Sequence, residues 1–246
     1  MNISQLKTVA KAALFCLGAS LVAYAQSPST EDVLRRAAAN EEKLRAAERD
    51  YTYRQSILVQ TLGQYGRITG EIRRVSDVIT DDLGSRTEKI LEYPPSRLAT
   101  TLGVARPDFK SLLGVDPFFL TPDTLPRYQI KFVEREKVGD INSFVFDVEP
   151  SGPQPKSSAK DDRPFMGRIW IDDRDFQIVK AEGKAVTVKD DSNQFPKFEY
   201  YRAYVDGKWW LPSAVLARDL LEFKRFDLSI KVEIKYTDYK RVQSRR

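Results

Sequence analysis

The chain has 246 residues, no histidine and one cysteine. Without histidine it lacks the usual general base near neutral pH and the commonest zinc ligand. A Ser-His-Asp triad is therefore excluded. The one cysteine, Cys16, lies in an apolar run near the N-terminus. Beyond that run no thiol remains for a disulfide, a thiolate metal site, a cysteine nucleophile or haem attachment. Carboxylate-only hydrolysis, a Ser-Lys pair and an oxygen-ligated Ca²⁺ site stay open, and no cofactor is expected.

Long apolar runs are also scarce. Ala12 to Ala23 is the longest candidate and is too short to span a bilayer comfortably. It follows Lys7 and Lys11 and ends at Ala23-Tyr24-Ala25, a small-x-small cleavage site before Gln26. Residues 1–25 therefore read as a cleaved signal peptide, with a retained anchor as the alternative. Phe15 stands where a lipid-attachment motif needs a small residue, so Cys16 reads as an ordinary member of the run. The remainder, 26–246, suits one large domain and is long enough to bury a core without cross-links.

Charge of one sign is not concentrated anywhere in the interior. The formal net charge is +5, and removal of Lys7 and Lys11 leaves +3, because residues 1–25 hold no acid. Basic and acidic residues interleave, which argues against a nucleic-acid partner. The basic tail from Lys240 to Arg246 reads as a solvated end, with weak attraction to an anionic membrane as the alternative.

What the sequence has in quantity is alternation. After a helix over about 30–48, capped by Ser29 or Thr30, strands are predicted at Tyr51–Leu62, Gly66–Thr80 and Arg86–Tyr93. In the helix Val33, Ala37, Glu41 and Leu44 share one face. Ser96 to Pro126 reads as irregular chain with short helices, including Asp108–Leu113, where Phe109, Leu112 and Leu113 make one apolar face. Pro117-Phe118-Phe119-Leu120 and a capped turn at Thr121 follow. Helices this short are not stable alone, so they dock as a core plug or a movable lid. Seven further strands are expected at Arg127–Val138, Ile141–Val148, Met166–Ile171, Phe176–Val188, Phe195–Val205, Lys208–Glu222 and Arg225–Arg241. Polar chain at about 150–164 reads as a mobile loop. Asp206-Gly207 is the strongest hairpin signal. The fold class expected is mainly β: an antiparallel meander too large to stay flat, closing as a barrel or wrapping as a half-barrel around the short helices.

Several constellations invite a chemical role. Asp172-Asp173-Arg174-Asp175 lacks the glycine and distal glutamate of an EF-hand and reads as a turn. No pair of acids is singled out for acid–base catalysis, and the expectation is a non-enzyme. Trp170, Trp209, Trp210, Phe198, Tyr200 and Tyr204 form an aromatic set that either packs a core or lines a cavity. Trp209 and Trp210 must point to opposite faces. Phe109, Leu112, Phe118 and Phe119 are core or lid. Arg74 falls on the apolar parity of its strand; it marks a register break, the favoured reading, or offers a partner to a carbonyl inside a cavity.

The segment Gly167–Lys180, Gly-Arg-Ile-Trp-Ile-Asp-Asp-Arg-Asp-Phe-Gln-Ile-Val-Lys, resembles the outer-membrane lipoprotein-sorting proteins of the LolA/LolB-like superfamily. So do Asp116–Pro122, Phe195–Glu199 and Trp209–Pro212, and the order of elements agrees across most of the chain. The resemblance implies a half-barrel whose concave face holds acyl chains under a lid of short helices. It implies a periplasmic, non-catalytic, monomeric carrier that exchanges lipid or lipoprotein with membrane-associated donor and acceptor proteins. An arginine of an early strand helps hold the lid in such carriers, and Arg74 is the candidate counterpart. The ligand-facing set expected here is Phe109, Leu112, Phe118, Phe119, Trp170, Phe198, Trp209 and Arg74. An RseB-type envelope sensor or interaction module is the alternative on the same fold.

Overall fold

The computed structural model describes residues 28–80, 86–101, 113–115, 118–152, 163–186, 193–223 and 226–242. The expected signal peptide, Phe109 and Leu112 lie outside them.

Helix α1 (Thr30–Ala47) starts where the sequence provides a cap: the Ser29 hydroxyl accepts from the Asp32 N–H at 3.1 Å. Glu31 and Asp32 in the first turn and Arg45 in the last complement the helix dipole. Its buried face is Val33, Leu34, Ala37, Ala38, Glu41 and Leu44. The two alanines keep that face shallow, so the helix lies close on the sheet.

The sheet has ten antiparallel strands: β1 (Tyr51–Leu62), β2 (Ile68–Thr80), β3 (Arg86–Glu92), β4 (Tyr128–Val138), β5 (Ile141–Pro150), β6 (Phe165–Asp172), β7 (Ile178–Ala185), β8 (Phe198–Val205), β9 (Trp209–Phe223) and β10 (Phe226–Arg241). The order across it is β3-β2-β1-β10-β9-β8-β7-β6-β5-β4. Strands β4 to β10 are the expected meander. Turn chemistry follows the sequence: Asp206 and Gly207 both take positive φ, 53° and 63°, between β8 and β9.

One pairing goes beyond local hairpins. Strand β1 joins β10, with Ile57 opposite Ile234 and Val59 opposite Val232. The first and last strands thus pair inside the sheet, and the edges are β3 and β4, which leaves the sheet open. This has a topological consequence. After β3 the chain stands at one edge, and β4 begins at the other. The described parts of this crossing pack on one face of the sheet. Helix α2 (Arg97–Thr101) belongs to this crossing, with Ala99 buried and Leu98 packed beside it. Val115, Phe118 and Leu120 are buried in the same core.

The covered inner face carries the main core. Ile57, Val59, Ile72, Phe146, Ile169 and Val232 are among its buried members, and Val33, Leu34 and Ala37 of α1 pack onto it. The outer face has a small cluster of its own, Val145, Trp170 and Val179, with Val138, Ile141 and Trp210 against it. Trp209 packs on the inner side with Leu44, Tyr51 and Leu211. The adjacent tryptophans thus face opposite ways, as strand alternation requires. Gly167 and Gly183 face each other across β6 and β7. A Cβ on Gly167 would sit 2.1 Å from the Glu182 carbonyl oxygen, so this close approach admits only glycine.

Candidate functional site

The candidate site is the middle of the inner face, where the crossing segment, α1 and strands β6 to β9 meet. Phe118 stacks on Phe165 with ring centroids 4.4 Å apart, and meets Tyr128 edge-on at 5.5 Å. Phe165 in turn lies 6.0 Å from Phe198. Leu120 is fully buried, and the chain then turns sharply. The Thr124 hydroxyl accepts from the Thr121 N–H at 2.9 Å, and Thr121 O accepts from the N–H groups of Thr124 and Leu125. Thr121-Pro122-Asp123 is thus the capped turn its sequence suggests.

Beneath this cover lies an ion pair. Arg202 donates from Nη1 to Glu41 Oε1 at 2.6 Å and from Nη2 to Oε2 at 2.8 Å. Both side chains are fully buried. Arg202 Nη2 also donates to the Phe118 carbonyl oxygen at 3.3 Å. One guanidinium thereby joins β8, α1 and the crossing segment. Burial works against its charge, but the Glu41 carboxylate and its neighbours carry the Arg202 pKa above the ordinary arginine value. The half-buried ring of Phe119 sits between the guanidiniums of Arg45 and Arg202, at 5.5 and 5.4 Å.

This pair was not singled out from sequence, although the signal was present. Glu41 falls on the apolar stripe of α1, and Arg202 shares the parity of Phe198 and Tyr200. Opposite charges on two apolar positions mark a buried pair.

Arg74 corrects the favoured sequence reading. The β1–β2 register runs without a break from Tyr53 opposite Val78, through Ile57 opposite Arg74, to Thr61 opposite Gly70. Arg74 therefore points inward and is 6% exposed. Its Nη2 lies 3.2 Å from Glu88 Oε1 on β3, an oxygen that also accepts from the Ser76 hydroxyl at 2.5 Å. It faces the interior on β2, whereas Arg202 does so on β8.

Among the expected ligand-facing residues, Phe118 and Phe198 flank Phe165 at the cover, and Phe119 packs beside it with Leu44 and Leu211. Trp209 sits at the C-terminal end of α1. Trp170 does not join them: it stands on the outer face, its indole N–H donating to Glu136 at 3.0 Å and Lys180 lying 4.4 Å over its ring. Parity explains the correction, because Ile169 and Ile171 take the inner positions on β6.

The inner face also holds a buried polar atom without a hydrogen-bond partner, Gln55 Nε2, and the Tyr200 phenol beside the Arg202 guanidinium. Burial holds the Tyr200 phenol well above its usual pKa. Tyr53 stacks obliquely against Tyr236 and Tyr239, with centroids 5.8 and 5.3 Å away, and Tyr239 donates to the Pro212 carbonyl at 2.7 Å.

Two shallow grooves of about 350 and 440 Å³ on the outer face share Glu182 and Lys197, which pair at 2.5 Å. At the β6–β7 turn the Asp172 carboxylate accepts from the Arg174 N–H and that of Asp175 from the Gln177 N–H, which is turn chemistry. Among the described residues no group of three or more candidate ligands is placed to hold a metal ion, and no helix is long and apolar enough to cross a membrane.

No protein-family model and no curated protein matches the chain. Solved structures do show similarity. A LolA superfamily protein from Nitrosomonas europaea is 12% identical, with 88% of this chain and 94% of that one covered and a TM-score of 0.38. A DUF1329 family protein from Desulfovibrio piger is 11% identical, with 86% and 92% covered and a TM-score of 0.41. A chain of the MucA/MucB complex of Pseudomonas aeruginosa is 12% identical, with 86% and 98% covered and a TM-score of 0.25.

Proposed function

We propose that the protein is a non-catalytic carrier of lipid acyl chains, free or attached to a lipoprotein, and that it works in the periplasm with membrane-associated donors and acceptors. The observation that carries this reading is the nature of the cover. Over the middle of a broad apolar face lies a piece of irregular chain, Phe118 to Thr121, held by ring stacking, burial and the Arg202 bond to the Phe118 carbonyl. An acyl chain offers the same burial. At about 0.8 kcal/mol per methylene, a long chain matches the contribution of a few displaced aromatic and aliphatic side chains. Exchange of cover for cargo is then close to balanced, as a carrier that must also release requires. Gln55 Nε2, buried and without a hydrogen-bond partner, supplies a donor for an ester or amide carbonyl at the head of such a cargo.

The test is native mass spectrometry on protein purified from cells expressing the full chain, with a delipidated sample as control and titration of a fluorescent fatty acid. Bound acyl species and saturable binding support the carrier. Absence of both, with one stoichiometric protein partner recovered by cross-linking, would replace it with the envelope-sensor reading.

A further inference from the structure

The inner apolar layer does not stop where its cover stops. Leu221 and Leu228 face each other on β9 and β10; Leu221 is buried, and Leu228 packs against the core. The next inward pair, Phe223 and Phe226, lies at the hairpin end with rings 5.0 Å apart, and Phe226 is 56% exposed. The β1–β2 turn leaves the same end of the sheet, since β10 separates β1 from β9. That turn holds Tyr65 fully exposed, at a φ of 56° that disfavours a bulky residue. It is closed by the Gly63 N–H donating to the Arg67 carbonyl at 2.8 Å. Ile68 and Leu220 are exposed close by. The two turns are neighbours: a Cβ on Gly66 would lie 3.8 Å from Arg218 Nη2 of β9.

We infer that this end of the sheet docks on the interfacial region of an anionic lipid bilayer, the aromatic tips entering between headgroups and the cations binding lipid phosphate. Two features favour lipid over protein. First, five apolar side chains on two turn tips fall short of the roughly 800 Å² per partner that a stable protein interface needs. Second, the aromatics are interleaved with cations. Arg67 and Arg218 are exposed at this end, Arg67 lying between Tyr65 and Ile68 in the chain. Aromatic bodies at the acyl boundary with basic groups at phosphate depth match the chemistry of that interface. Of the acids nearby, Asp219 is engaged by the N–H groups of Lys197 and Leu220, and Glu222 and Asp227 oppose each other one step back from the tip.

This inference does not depend on the carrier reading. It is tested by sedimenting protein purified from cells expressing the full chain with vesicles of phosphatidylcholine alone or mixed with phosphatidylglycerol. The wild type is expected to partition onto the mixed vesicles. F223S/F226S and Y65S should each weaken this by about tenfold, in line with loss of buried aromatic area, and R67Q/R218Q should remove the preference for the anionic lipid. These residues are exposed, so circular dichroism and fluorescent fatty-acid binding should be unchanged in the variants. That second readout separates failure of the docking surface from failure of the carrier. No vesicle binding by the wild type, equal binding by F223S/F226S, or self-association lost in that variant would overturn the inference.

Discussion

Glu41 and Arg202 form a bidentate ion pair, at 2.6 and 2.8 Å, with no solvent exposure on either side chain. Removing one member leaves a bare charge in the core. Arg202→Leu or Glu41→Leu should each lower unfolding free energy by about 3–5 kcal/mol. The double replacement should cost much less than the sum, because two apolar groups satisfy each other. Urea denaturation of the three variants measures the coupling. Additive losses would show that the pair is not the unit it is taken to be.

Phe118 distinguishes a plug from a cover. Phe118→Ala should destabilise the protein by roughly 3–5 kcal/mol, as for a truncated core aromatic. If the segment yields to an acyl chain, the same change should tighten fluorescent fatty-acid binding, because the competing covered state is weakened. A plug would lose stability with no gain in affinity.

Trp170 and Trp209 should behave differently. Trp170 lies on the outer face and bonds Glu136, so Trp170→Phe should cost about 1 kcal/mol or less and leave acyl binding unchanged. Trp209 packs inward with Leu44 and Leu211, and Trp209→Ala should cost about 3 kcal/mol or more. Thermal denaturation and the fatty-acid titration together check the assignment of faces.

Asp175 provides a pH signature. Burial, and then the charge of Asp172, raise its carboxyl above the ordinary aspartate range. The folded protein therefore holds this proton more tightly than the unfolded chain. The stabilisation is complete below the unfolded aspartate value and is lost as pH rises through the raised one. Since Asp175 Oδ2 accepts from the Trp210 indole N–H at 3.2 Å, that indole resonance should titrate with it in NMR. Asp172→Asn should move the midpoint down.

Local structure was largely legible. Ser29 before Glu31 and Asp32 marked the helix start, Asp206-Gly207 fixed a hairpin, and alternation placed the strands within a few residues. Parity settled that Trp209 and Trp210 face opposite ways, but could not say which face was inside. For that reason Trp170 was expected among ligand-facing residues. Arg74 misled for a related cause: a charge on an apolar parity reads as a register slip unless its partner is known, and Glu88 lies on another strand. The β1–β10 pairing is invisible to local pattern, because both strands are ordinary amphipathic ones. Once it is known, the crossing of the chain from β3 to β4, and hence the cover, follows.

If acyl chains take the place of the cover, tethering that cover must block them. The expected mature chain has no cysteine of its own, so F118C/F165C, at two positions whose rings now stack, can be bridged by a short bismaleimide. Fluorescent fatty-acid binding is then compared between bridged and unbridged protein of the same variant. Saturable binding is expected without the bridge and none with it. Equal binding in the two states would mean that acyl chains do not displace the cover.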